Sequence, residues 1–124
     1  MSWEADMDRA IAETSKEMLK GRNAIYRDVC DEIVQRTPVD TGALKGSWHF
    51  TKDTPSSDSE PRIDPDGYEP MVEVDSLLPK LPGDSTAYLT NNLDYAVEIE
   101  YGKSKLKSPE GMVRVTVERY AEGT

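Results

Sequence analysis

The sequence predicts an α+β domain in which a long N-terminal helix packs on a small antiparallel sheet joined by long loops. Three observations carry this: a helical apolar stripe over residues 3–36, two-residue alternation around Trp48, and a proline-broken acidic stretch at 53–70. With 124 residues, the chain fits one domain, 1–124. A domain of this size buries roughly two-thirds of its unfolded surface, enough for a core without metals or disulfides.

Met7, Ile11, Thr14, Met18, Ile25, Val29 and Ile33 follow one another at spacings of four, three, four, seven, four and four. That is the stripe of an amphipathic helix. Ala10, Cys30 and Val34 widen it, and charges such as Glu13, Lys16, Glu17, Lys20, Arg27, Asp28 and Glu32 fill the other positions. At 1.5 Å per residue the helix over 3–36 would be roughly 50 Å long, with Gly21 as a point for a bend or break. Thr37-Pro38 ends it, because a residue before proline is pushed out of the α region.

Asp40 or Thr41 is placed to cap a short turn through Ala43 and Leu44. Beyond Gly46, Trp48 and Phe50 share one face of a strand, and Ser47, His49 and Thr51 share the outer one. Residues 53–70 hold four prolines and six acids against the single base Arg62. They read as a mobile acidic loop with little to bury. Val72 and Val74 alternate with Glu73 and Asp75, which predicts a strand over 71–76, and another follows at 86–91 after the Pro79–Asp84 breaker. The expected sheet therefore has three strands: 48–52, 71–76 and 86–91. Leu93 to Tyr101 reads as a short helix closed by Gly102. Beyond it, Val113, Val115 and Val117 alternate as in a strand, while Ser108-Pro109-Glu110 is a helix start. Both readings stay open on pattern alone.

The charge is −9, from 24 acids and 15 bases, which argues against a grip on nucleic acid, where Lys and Arg displace counterions. It suits solubility, or a surface that DNA slides past. Met1 to Asp8 has no secretory pattern, and no stretch approaches the ~20 apolar residues of a membrane span, so a soluble, cytosolic chain is expected. Catalysis has little to work with. His49 is the sole histidine, and Cys30 sits on the helix's buried stripe beside Asp28, Asp31 and Glu32, which disfavour a thiolate. One Cys and one His cannot make the common zinc sites. Asp64-Pro65-Asp66-Gly67 fails the calcium-loop test, since Arg62 falls where the first Asp must stand. No catalytic residue, cofactor or metal is predicted, and the chain is not expected to be an enzyme. Lys103, Lys105 and Lys107 form one basic cluster, suited to an acidic partner, to DNA phosphates, or simply to solvent.

Two stretches carry a family likeness. Arg36-Thr37-Pro38-Val39-Asp40-Thr41-Gly42-Ala43-Leu44-Lys45-Gly46-Ser47-Trp48 resembles the Thr-Pro-Val-Asp-Thr-Gly-x-Leu-x-x-Ser motif of phage tail-completion proteins, also called tail-component, minor tail or neck proteins. Thr90 to Gly102, followed by Pro109-Glu110-Gly111-Met112-Val113-Arg114, is similar to that family's Asn-x-x-x-Tyr-Ala-x-x-x-Glu-Tyr-Gly and Pro-x-Gly-Met-Val-Arg segments. The resemblance implies an α+β fold ending in a C-terminal helix over Met112 to Tyr120. It also implies a structural subunit of a ring, usually a hexamer, that finishes the tail and joins it to the capsid around a DNA channel. The implied partners are further copies of itself, the tail terminator or tail tube, and head-completion proteins. The resemblance further implies that DNA passes without specific binding, that no membrane is involved, and that the location is the virion tail or neck after assembly in the host cytoplasm. Motif and candidate interface residues are Thr37, Pro38, Asp40, Thr41, Gly42, Leu44, Trp48, Asn91, Tyr95, Tyr101, Gly102, Lys103, Lys105 and Lys107. Asp58, Glu60, Asp64 and Asp66 are the candidate channel loop. Lys103 stands where the family often has an aromatic, and the final helix is often longer. The rival reading of the acidity is a DNA-mimic inhibitor.

Overall fold

A computed structural model describes residues 3–101, 111–113 and 116–118. Helix α1 spans Trp3–Arg36 and runs through Gly21 unbroken. The helix does not break at that glycine, where a Cβ would meet nothing, and it pays only glycine's entropy there. Contact with the rest of the chain begins near Leu19, which is half-buried. Arg22 donates to the Leu81 and Pro82 carbonyls at 2.8 Å each, and Asn23 Nδ2 to the Leu78 carbonyl at 3.1 Å. Cys30, Ile33 and Val34 then enter the core. The apolar stripe expected to be buried therefore divides: its C-terminal end is covered, while Met7, Ile11, Met18 and Ile25 are exposed.

A one-turn helix α2 (Ala43–Gly46) leads into strand β1 (Trp48–Lys52). β1 pairs antiparallel with β2 (Ala87–Asn91), Trp48 opposite Asn91 and Phe50 opposite Leu89. These two strands are the whole sheet among the described residues.

The third strand expected over 71–76 is instead helix α3, Tyr68–Leu77, followed by a 3-10 turn over Leu78–Lys80. Buried Met71, Val74 and Leu78 are three and four residues apart, a helical spacing that the Val72/Val74 alternation conceals. Pro70 fits because it falls in the first turn, where its missing N–H has no intrahelical partner. The Asp64 carboxylate accepts the Glu69 N–H at 2.6 Å and supplies one of the acceptors that turn lacks.

α3 covers β1's outer edge instead of extending the sheet. The Asp53 N–H donates to the Thr86 carbonyl at 2.7 Å, which fixes the alternation: Trp48, Phe50 and Lys52 turn their backbone groups away from β2. Glu73 accepts the Phe50 N–H at 3.3 Å, and Arg62 donates to the Trp48 carbonyl at 2.8 Å. An ion pair between these two side chains thus stands in for a strand. His49, expected on an open outer face, is buried for the same reason, with Glu73 on one side and Asp58 on the other.

Helix α4 (Ala96–Glu100) seats Ala96 and Ile99 in the core. Residues 113 and 116–118 are helical, in agreement with the helix that the family likeness implies. Glu100 Oε1 accepts the Met112 and Val113 N–H groups at 2.9 and 2.7 Å.

Candidate assembly surfaces

The first motif is a joint. The Thr37 hydroxyl donates to the Ile33 carbonyl at 2.8 Å and accepts the Trp48 indole N–H at 2.8 Å. It closes the end of α1 and anchors the core tryptophan in one step. Thr41 Oγ1 accepts the Ala43 N–H at 3.2 Å, but the N-cap position itself is Gly42, with φ of 89° and no side-chain cap. Asp40 is exposed and takes no part in the cap.

Gly42 and Gly46 are needed for a close approach. A Cβ on Gly42 would stand 2.6 Å from Pro65 N, and one on Gly46 would collide with the Arg62 carbonyl. Both glycines let the 53–67 segment lie directly on α2. Arg62 holds that segment: besides the Trp48 carbonyl and Glu73 it donates to the Gly46 carbonyl at 2.6 Å, and its backbone N–H donates to Ser47 Oγ at 3.0 Å.

The second motif meets the first. Asn91 Nδ2 donates to the Leu44 carbonyl at 2.8 Å and its Oδ1 accepts the Leu93 N–H at 3.2 Å. Asn92 Nδ2 reaches the Ser56 and Asp58 carbonyls at 2.7 and 3.1 Å. Gly111, with φ of 86°, lies so close to Glu100 that a Cβ would fall 2.5 Å from Oε2, so the motif's second half packs on its own glutamate.

The remaining candidates separate. Leu44 and Trp48 are core residues, whereas Tyr95 and Tyr101 are exposed. Gly102, Lys103, Lys105 and Lys107 lie outside the described residues. Of the loop acids, Glu60 and Asp66 are exposed; Asp64 caps α3, and Asp58 Oδ2 is 3.8 Å from His49 Nε2.

A groove of about 250 Å³ lies between α1 and the sheet, lined by Ile25, Tyr26, Val29, Cys30, Phe50, Ala87 and Leu89. Its wall is almost wholly apolar side chain.

Residues 4–102 match the family model described as "Bacteriophage HK97-gp10, putative tail-component". The chain belongs to this HK97-gp10-like family. It is a phage tail component, and its family is a structural one. No curated protein and no solved structure matches it.

The two side chains of this tail component that the sequence singled out for chemistry, Cys30 and His49, are both buried. Burial pushes the Cys30 thiol up to about 12; desolvation is the cause, not the neighbouring acids invoked from sequence. His49 Nδ1 is 3.3 Å from Glu73 Oε1, and its Nε2 has no hydrogen-bond partner among the described residues. Among the described residues no group of three or more His, Cys, Asp or Glu is placed to hold a metal, and no helix is long and apolar enough to cross a membrane. Sequence reasoning passed over Arg62, Glu73 and Glu100. A lone base inside an acidic run was the available sign for Arg62, and a place in the family-like Glu-Tyr-Gly triplet was the one for Glu100.

Proposed function

We propose that this tail component is a non-enzymatic ring subunit that completes the tail at its head-proximal end and joins it to the capsid, leaving a channel for DNA. The observation that carries the reading is the division of labour in the chain. The buried residues of the two family motifs hold one body together, while the apolar stripe on the N-terminal half of α1 has no described residue over it. A monomer has no use for such a helix, and a subunit that completes its burial against neighbours does. The 53–67 segment, held at one end by Arg62, presents Glu60 and Asp66 outward. Facing a channel, those carboxylates would repel the DNA backbone and keep it from adhering.

Deletion of the gene tests the reading directly. The expected result is filled heads and separate tails with no joined particles, restored by the protein in trans; normal joined particles would refute it. The channel role has its own test. Glu60→Gln with Asp66→Asn should leave assembly intact and slow DNA ejection, whereas unchanged ejection, or a ring whose loops point outward, removes it.

A further inference from the structure

Two apolar surfaces of this chain have none of its described residues across them. One is the arm of α1, where Met7, Ile11 and Met18 are 49%, 60% and 70% exposed. The other is the groove between the root of α1 and the sheet. Its wall includes Ala87 and Leu89, whose backbone N–H and C=O groups point away from β1 by the alternation set at Asp53–Thr86. Among the described residues no hydrogen bond reaches those groups, so the groove runs out to an unpaired strand edge, a template for another chain.

The arm cannot fill its own groove. Ile25 and Val29 belong to the same unbroken helix as the arm, and Ile11 lies roughly 20 Å from Ile25 along the axis. Only a second copy can bring arm and groove together. The charges agree: residues 3–21 carry Glu4, Asp6, Asp8, Glu13 and Glu17 against Arg9, Lys16 and Lys20. At the groove stands one cation, Arg22, 5.5 Å from the Tyr26 ring centroid; Lys52, which opposes Ala87 in the sheet, is 3.8 Å from the Asp53 carboxylate. The area agrees as well. The groove of about 250 Å³ takes side chains from one face of the arm, and one side of about 25 Å of helix, about 10 Å across, offers at most on the order of 500 Å², under the ~800 Å² per partner of a standard stable interface. A subunit that both gives an arm and receives one buries that area twice, so the contact becomes firm on ring closure.

We propose that the arm of one copy, residues 3–18, lies in the apolar groove of the next, linking neighbours head to tail. This rests on the ring reading and names the contact that builds the ring. A contact between two different patches is heterologous, and it closes only when its rotation divides the circle.

The test pairs an assembly measurement with a directed cross-link. Ile11→Asp with Met18→Asp should raise the concentration for half-assembly about a hundredfold, because two buried apolar groups become charged, and should leave the thermal midpoint unchanged. In a Cys30→Ala background, a Met18→Cys protein mixed with an Ala87→Cys protein should form a disulfide dimer, which neither forms alone. Equal cross-linking of Met18→Cys with itself, or full assembly of the charged double variant on tails, overturns the arm contact and leaves the ring standing. A wild-type protein that is monomeric in solution and present as single copies in particles overturns both.

Discussion

The two halves of α1 obey one apolar period and meet opposite fates. From Leu19 onward the helix lies against the 3-10 turn and α3, and Cys30, Ile33 and Val34 are closed off from water, with Ile25 left exposed at the groove. Before Leu19 the stripe is just as regular, yet Met7, Ile11 and Met18 stay exposed. Periodicity reports that a face is apolar. It does not report whether the chain itself covers that face.

The difference can be pressed from both ends, and the largest effect belongs to the body. Trp48→Ala empties the core and removes the indole N–H that the Thr37 hydroxyl accepts, and should cost about 3–5 kcal/mol, read by denaturant unfolding. A loss under about 1 kcal/mol would mean that the root of α1 is no better seated than the arm. Next comes Arg62→Lys. A lysine supplies one compact ammonium where the guanidinium reaches Gly46, Trp48 and Glu73 at once, so about 2 kcal/mol should be lost. Protease should then cut within 53–67 first.

A smaller effect concerns pH. The Cys30 thiol ordinarily ionises near 9.0 and is held to about 12 in the folded chain. The unfolded state therefore sheds its proton first. Stability is full below pH 9 and falls as pH rises from 9 towards 12, by about 1 kcal/mol at pH 10. Cys30→Ala should remove that part of the alkaline decline, and an unchanged pH profile would count against the burial. Smallest of all is the arm: replacing Met7, Ile11 and Met18 by alanine should alter unfolding by less than about 0.5 kcal/mol. A larger destabilisation would show that the arm is packed within its own chain.

Legibility followed the range of the interactions. α1, the α2 turn, β1 and β2 were readable because each follows from local spacing, proline or glycine. α3 was not: over 71–76 the apolar residues fit two periods. The choice was made by the Asp64 carboxylate at the helix start and by a strand edge that Arg62 and Glu73 already occupied. His49 was misplaced through the same error, since a helix and a loop cover the face that a third strand would have left open. The motif glycines were legible as special positions. That they serve the approach of Pro65 and Arg62 was not, because those partners are some twenty residues away.

By itself the sequence determined the helix, the two strands, the chemical poverty of the chain and its family likeness, since all of these rest on residue type and short spacing. Only the tertiary structure decided which part of the long helix is core and which is arm, that Thr37 and Trp48 form one joint, and that Leu44 and Asn91 bring the two motifs together. The reason is physical. Burial and hydrogen-bond satisfaction belong to pairs of surfaces, and a sequence shows one member of each pair at a time.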